Sequence, residues 1–131
     1  KIRDTIADAA KNTDLSGYAK DLETSVQALD DITKYIVEMI KSDDAYIAYS
    51  WATTYLEIFS EVVLSWQLLW QENVAVQMKS ENSSDKRYYD SKINTAKYFI
   101  SNMLPVIYGK IDSIKKDDKS FLAMDDDIFP E

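Results

Sequence analysis

The sequence predicts an all-α protein, an antiparallel up-and-down bundle of three long helices plus a short N-terminal helix. Three observations carry that expectation. Only two Gly and two Pro occur in 131 residues, too few turn-formers for a strand-rich fold. Three long segments repeat apolar residues every three or four positions. Short polar stretches separate the segments, as between antiparallel neighbours. The length fits one domain, 1–131, and a 46% hydrophobic content supplies its core.

In chain order, Ile2, Ile6, Ala9 and Ala10 mark a first short helix within 1–11, or the tail of a helix begun upstream. Thr13, Asp14 and Ser16 offer capping oxygens for the next helix. That helix is expected from about Leu15 to Lys41. Its apolar face is Leu15, Tyr18, Leu22, Val26, Leu29, Ile32, Ile36 and Ile40, and Asp30 with Lys34 makes an i,i+4 pair outside. Ser42, Asp43 and Asp44 read as a break and restart, with Ser42 as a cap.

The stretch from Tyr46 to Met78 organises the chain. It holds all three tryptophans, has no Lys, Arg, Gly or Pro, and is expected as one unbroken helix. One apolar stripe runs Trp51, Tyr55, Phe59, Val62, Trp66, Leu69. A second runs Ala52, Leu56, Val63, Trp70, Val74. An ordinary surface helix buries a single stripe. Two stripes place this helix in the middle of a bundle or give it a second face for a partner, and a face centred on Tyr55, Val63, Trp66 and Trp70 is the candidate interface.

The last long helix is expected from about Ser84 to Lys116, with Tyr88, Tyr89, Ile93, Ala96, Phe99, Ile100, Met103, Leu104, Ile107, Ile111 and Ile114 inward. Pro105 lies inside it and removes one backbone hydrogen bond, so a bend is expected between Ser101 and Gly109, aided by that glycine. Residues 120–131 read as an acidic C-terminal tail with Phe121, Leu122, Met124, Ile128 and Phe129 among the acids, which could fold back as a short turn and cover the Trp66 and Trp70 face instead of a partner.

Composition removes several function classes. A net charge of −8 disfavours nucleic acid and anionic membrane surfaces. The absence of Cys and His removes disulfides, thiolate sites, the Ser/His/Asp triad and most zinc and di-iron sites. No apolar run is long enough for a membrane span, and a cytoplasmic location is expected. Glu57 and Glu61 could be an acid/base pair but read as a solvated stripe. Asp125, Asp126 and Asp127 lack calcium-loop spacing and read as a solvated tail. Asn82-Ser83-Ser84 matches a glycosylation sequon by chance. Tyr46, Tyr49, Tyr55, Tyr88, Tyr89 and Tyr98 could line a ligand groove but read as core-edge residues. No catalytic, cofactor-binding or metal-binding residue is assigned.

The last helix carries more than periodicity. The run Tyr88-Tyr89, then Lys92, Ile93, Thr95-Ala96 and Tyr98-Phe99, followed by Leu104-Pro105, resembles the C-terminal domain appended to a subgroup of acyl-CoA dehydrogenases. Lys92, Thr95, Ala96, Phe99 and Pro105 carry the motif. Tyr55-Leu56, Phe59, Trp66 and Leu69-Trp70 are similar to that domain's aromatic and aliphatic run, and residues 15–40 to its first long helix. The chain departs from the pattern at Ser65 and Gln67, where the family often has Gly or Ala, so looser helix contacts are expected there. The resemblance implies a longer parent flavoenzyme of fatty acid metabolism. That parent would use FAD to oxidise an acyl-CoA to the 2,3-enoyl-CoA. The start at Lys1 fits such a piece. The base and flavin contacts would lie upstream, and this domain would pack on the dehydrogenase core or a second subunit in a homo-oligomer such as a dimer. The alternative from residues alone is a free-standing helical interaction or dimerisation module.

Overall fold

The structure, a computed structural model, describes residues 1–42, 45–81, 85–116 and 118–120, with backbone only at 79–81. Every regular element among them is helical. They are α1 (Ile2–Ala9), α2 (Ser16–Lys41), α3 (Ala45–Ser50), α4 (Ala52–Glu81), α5 (Lys86–Tyr98), a π-helical turn (Phe99–Met103) and α6 (Val106–Lys115). Asp43, Asp44, the Asn82-Ser83-Ser84 sequon, the expected helix start at Ser84 and the tail from Phe121 onward, with Asp125–Asp127, lie outside the described residues.

α4, of 30 residues, packs against α1, α2, α3, α5, the π turn and α6. Its fully buried positions are Ile58, Val62, Ser65, Leu69 and Glu72, every third or fourth residue and so one face of the helix. Against this face lie Leu15 and Leu22 at the start of α2, Ile6 and Ala9 of α1, and Ile100, Leu104, Ile107, Ile111 and Ile114 of the last segment. The second of the two apolar stripes of α4 lies outward. Ala52 is exposed, Leu56 is 61% exposed, Trp70 52% and Val74 39%, with Val63 half-buried. The first stripe coincides with the core face only in part: Val62 and Leu69 are buried, Phe59 is exposed, and Ile58, in neither stripe, takes a core position. On α2, Ala19 and Ser25 are buried while Ile40 is exposed.

The single helix expected from Tyr46 to Met78 is two helices. At Trp51 the backbone N–H bonds back three residues, to the Ala48 carbonyl at 3.2 Å. The Ser50 hydroxyl donates to the Ile47 carbonyl at 2.6 Å. A serine that supplies its own local hydrogen bond competes with the helix ladder, and it does so where α3 stops. The expected caps also differ. Ser16 donates to the Thr13 carbonyl, and the Asn12 side chain accepts from the Asp14 N–H at 2.9 Å. Ser42 donates back to the Met39 carbonyl at the end of α2. The Asp30–Lys34 pair forms at 2.5 Å.

The last helix is interrupted as Pro105 requires. The Leu104 N–H reaches five residues back to Phe99 at 3.1 Å, which makes the π turn. Ile107 and Tyr108 then bond three residues back, to Leu104 and Pro105, both at 3.2 Å. Pro105 stands as the residue that opens α6, where its missing N–H costs least. Gly109 has no part in the break. It lies inside regular α6, and a Cβ there would meet nothing within 4 Å.

Pro105→Ala is expected to destabilise the chain by about 1 kcal/mol in urea unfolding. Alanine loosens the unfolded chain and also allows a regular ladder through 101–105. That ladder would turn the Ile107, Ile111 and Ile114 face by roughly 100° for each residue of register gained.

Candidate interaction surface

Four polar contacts join the helices, and three of them fix how α4 is turned. On α1, the Thr5 hydroxyl donates to the Lys1 carbonyl at 3.2 Å and accepts from the Trp66 indole N–H at 2.9 Å. On α2, the Thr33 hydroxyl donates to Leu29, which leaves the Tyr55 hydroxyl, 2.9 Å away, as its donor. Ser25 repeats the device: it donates to Asp21 and accepts from Tyr108 of α6 at 3.2 Å. Each hydroxyl spends its proton within its own helix and offers a lone pair to a neighbour. The fourth contact is ionic. Lys110 of α6 reaches Glu61 at 2.6 Å and Glu57 at 3.3 Å. The two glutamates are therefore a clasp between α4 and α6 rather than the solvated stripe expected of them. The hydrogen bond that Lys110 donates to Glu61 is the main cause raising its pKa, with Glu57 adding to it against burial.

These contacts divide the four candidate interface residues. Tyr55 and Trp66 turn toward α2 and α1. Val63 and Trp70 lie on the outer stripe with Leu56 and Val74. Trp70 stands between two grooves. One is lined by Val74, Met78, Tyr88, Tyr89 and Lys92, the other by Lys1, Asp4, Asp8, Trp66 and Asn73. In the first, Tyr88 and Tyr89 meet edge to face at 5.5 Å, and the Lys92 ammonium lies 5.7 Å from the Tyr88 ring. Of the motif residues, Ala96 is fully buried and Phe99 half-buried, while Lys92, Thr95 and Pro105 are exposed. The Thr95 hydroxyl donates to Ser91.

Sequence reasoning missed Glu72. It is fully buried on the core face of α4, and neither carboxyl oxygen has a hydrogen-bond partner among the described residues. Burial pushes its pKa up to about 7, with Lys97 of α5 pulling the other way. The signal was available, because Glu72 falls seven residues after Ser65 and fourteen after Ile58 on one helical face. Ser65 is likewise fully buried, with an unpartnered hydroxyl among the described residues. Gln67 lines the groove beside Trp70.

Five grooves among the described residues lack the lining a dinucleotide cofactor needs. A pyrophosphate needs converging donors and positive charge. In four of these the cation shares the lining with an acid: Lys1 with Asp4 and Asp8, Arg3 with Glu23, Arg87 with Asp90, Lys97 with Asp14 and Asp90. The fifth has Lys92 alone. Among the described residues no three acids gather as a metal site, and no helix is long and apolar enough to cross a membrane.

Two variants test the polar contacts. The pKa of Glu72 is higher folded than unfolded, so the folded chain holds the extra proton between pH ~4.5 and ~7, and stability falls as pH rises through that window. At about 1.4 kcal/mol per pKa unit, Glu72→Leu should gain about 2–3 kcal/mol more at pH 8 than at pH 4.5 in denaturant titrations. Lys110→Ala should cost about 1–2 kcal/mol at pH 7, since Glu61 is left half-buried and unpaired. That cost should shrink when Glu61→Gln is added.

No curated protein matches the sequence, and no solved structure does. The family model for acetyl-CoA dehydrogenase C-terminal-like domains matches residues 1–125, nearly the whole chain. The chain therefore belongs to that family, as a C-terminal domain of an acyl-CoA dehydrogenase-like protein.

Proposed function

We propose that this chain is the accessory C-terminal domain of an FAD-dependent enzyme that oxidises an acyl-CoA to the 2,3-enoyl-CoA. The family match over 1–125 is the observation that carries this reading. The flavin and the base that removes the substrate proton belong to the dehydrogenase core of the parent protein. The domain adds no reacting group. It supplies a helical body, read as an antiparallel up-and-down bundle of α2, α4 and the α5–α6 segment, whose apolar surface packs on the core or on a second subunit.

The exposed stripe of α4 supports a packing role. A half-exposed tryptophan flanked by Leu56, Val63 and Val74 leaves apolar area in water at ~25 cal/mol per Å², and contiguous patches of this kind mark contact sites. Tyr55 and Trp66 would hold the stripe in place through α2 and α1 while Val63 and Trp70 make the contact.

The test uses the intact parent protein. It should purify with bound flavin and bleach on mixing with an acyl-CoA. A form lacking this domain should still bind flavin but assemble differently in sedimentation. An intact protein without flavin, or flavin bound by this chain alone, would overturn the proposal.

A further inference from the structure

Leu56, Val63 and Trp70 recur at intervals of seven along the outside of α4. A seven-residue apolar repeat keeps one seam facing a second helix over several turns. The partner is therefore a helix laid along α4 rather than a loop or a sheet edge. From Val62 to Gln71 the helix carries no charge at all, in a chain of net charge −8. Most surfaces of so acidic a molecule would repel their own copy; this seam would not.

The ends of the seam differ in sign. Near the start of α4, Glu57 and Glu61 share the single charge of Lys110, which leaves one negative charge over, and Glu57 is exposed. Near the other end, Lys92 lines the groove with Trp70 and Met78 and is exposed. Glu57 and Ala75, which also lines that groove, are about five whole turns apart. They lie on the same flank of the helix. A two-fold axis crossing α4 in the contact plane reverses the helix direction and keeps each flank facing its own counterpart. It would bring the acidic start of one α4 against the basic groove at the end of the other, twice.

We infer that the occupant of this seam is a second copy of the same chain, paired through antiparallel α4 helices, with Glu57 of each copy facing Lys92 of the other. This rests on the reading of the α4 stripe as a packing surface and names what covers it.

Sedimentation equilibrium of the chain tests the pairing, with circular dichroism to confirm folding. The wild-type chain should dimerise. Trp70→Glu and, at a more exposed site, Leu56→Glu should each weaken the dimer about thirtyfold or more. Lys92→Glu should weaken it several-fold, and adding Glu57→Lys should restore it. A wild-type chain that remains monomeric at about 100 µM, or a double charge reversal no better than Lys92→Glu alone, overturns the inference. The two proposals can fail separately. A dimer from a parent without flavin would leave this pairing standing and remove the enzymatic reading. A monomeric chain within a flavin-bearing parent would do the reverse.

Discussion

A helix has one circumference, and in this protein α4 must share its own among all the other helices. Ile58, Val62, Ser65, Leu69 and Glu72 fill the face that the core demands. Once that face is fixed, the opposite side follows from geometry. Leu56, Trp70 and Val74 cannot also turn inward, because positions on opposite sides of a 3.6-residue helix cannot reach the same neighbours. The exposed stripe is thus the complement of the core and not a local defect of packing.

Apolar contacts alone leave the rotation of such a helix poorly determined, since several hydrophobic faces would serve. The polar contacts remove that freedom. Trp66 on Thr5, Tyr55 on Thr33 and Lys110 on Glu61 tie α4 to α1, α2 and α6 at defined azimuths. Rotating α4 to bury Trp70 would break all three. Each break would leave a half-buried donor or acceptor short of its partner, and that penalty exceeds the modest worth of the bond itself.

The helical segments and their inward faces were largely legible, because periodicity of three and four survives in Leu22, Val62, Leu69, Ile93, Ala96, Ile100 and Ile107. The ambiguity lay in α4. With apolar residues nearly all round, periodicity cannot say which of two stripes is the core, and Ile58 and Phe59 exchanged places as a result. The break at Trp51 depends on hydroxyl and backbone competition over two residues, too local for a pattern of eleven or more to register. The clasp of Lys110 on Glu57 and Glu61 joins positions about fifty residues apart, which no single-sequence spacing reveals. Pro105 is the opposite case: a covalent constraint whose consequence for the helix is visible in the sequence itself.

The buried carboxyl of Glu72 ties folding to the surrounding medium in one further way. With its pKa near 7 in the folded chain, it takes a proton from solution as the chain folds at mildly acidic pH. The buffer must release that proton. The heat of folding measured in a calorimeter near pH 6 will then depend on the ionisation heat of the buffer, and cacodylate and histidine will give different enthalpies for the same structural change.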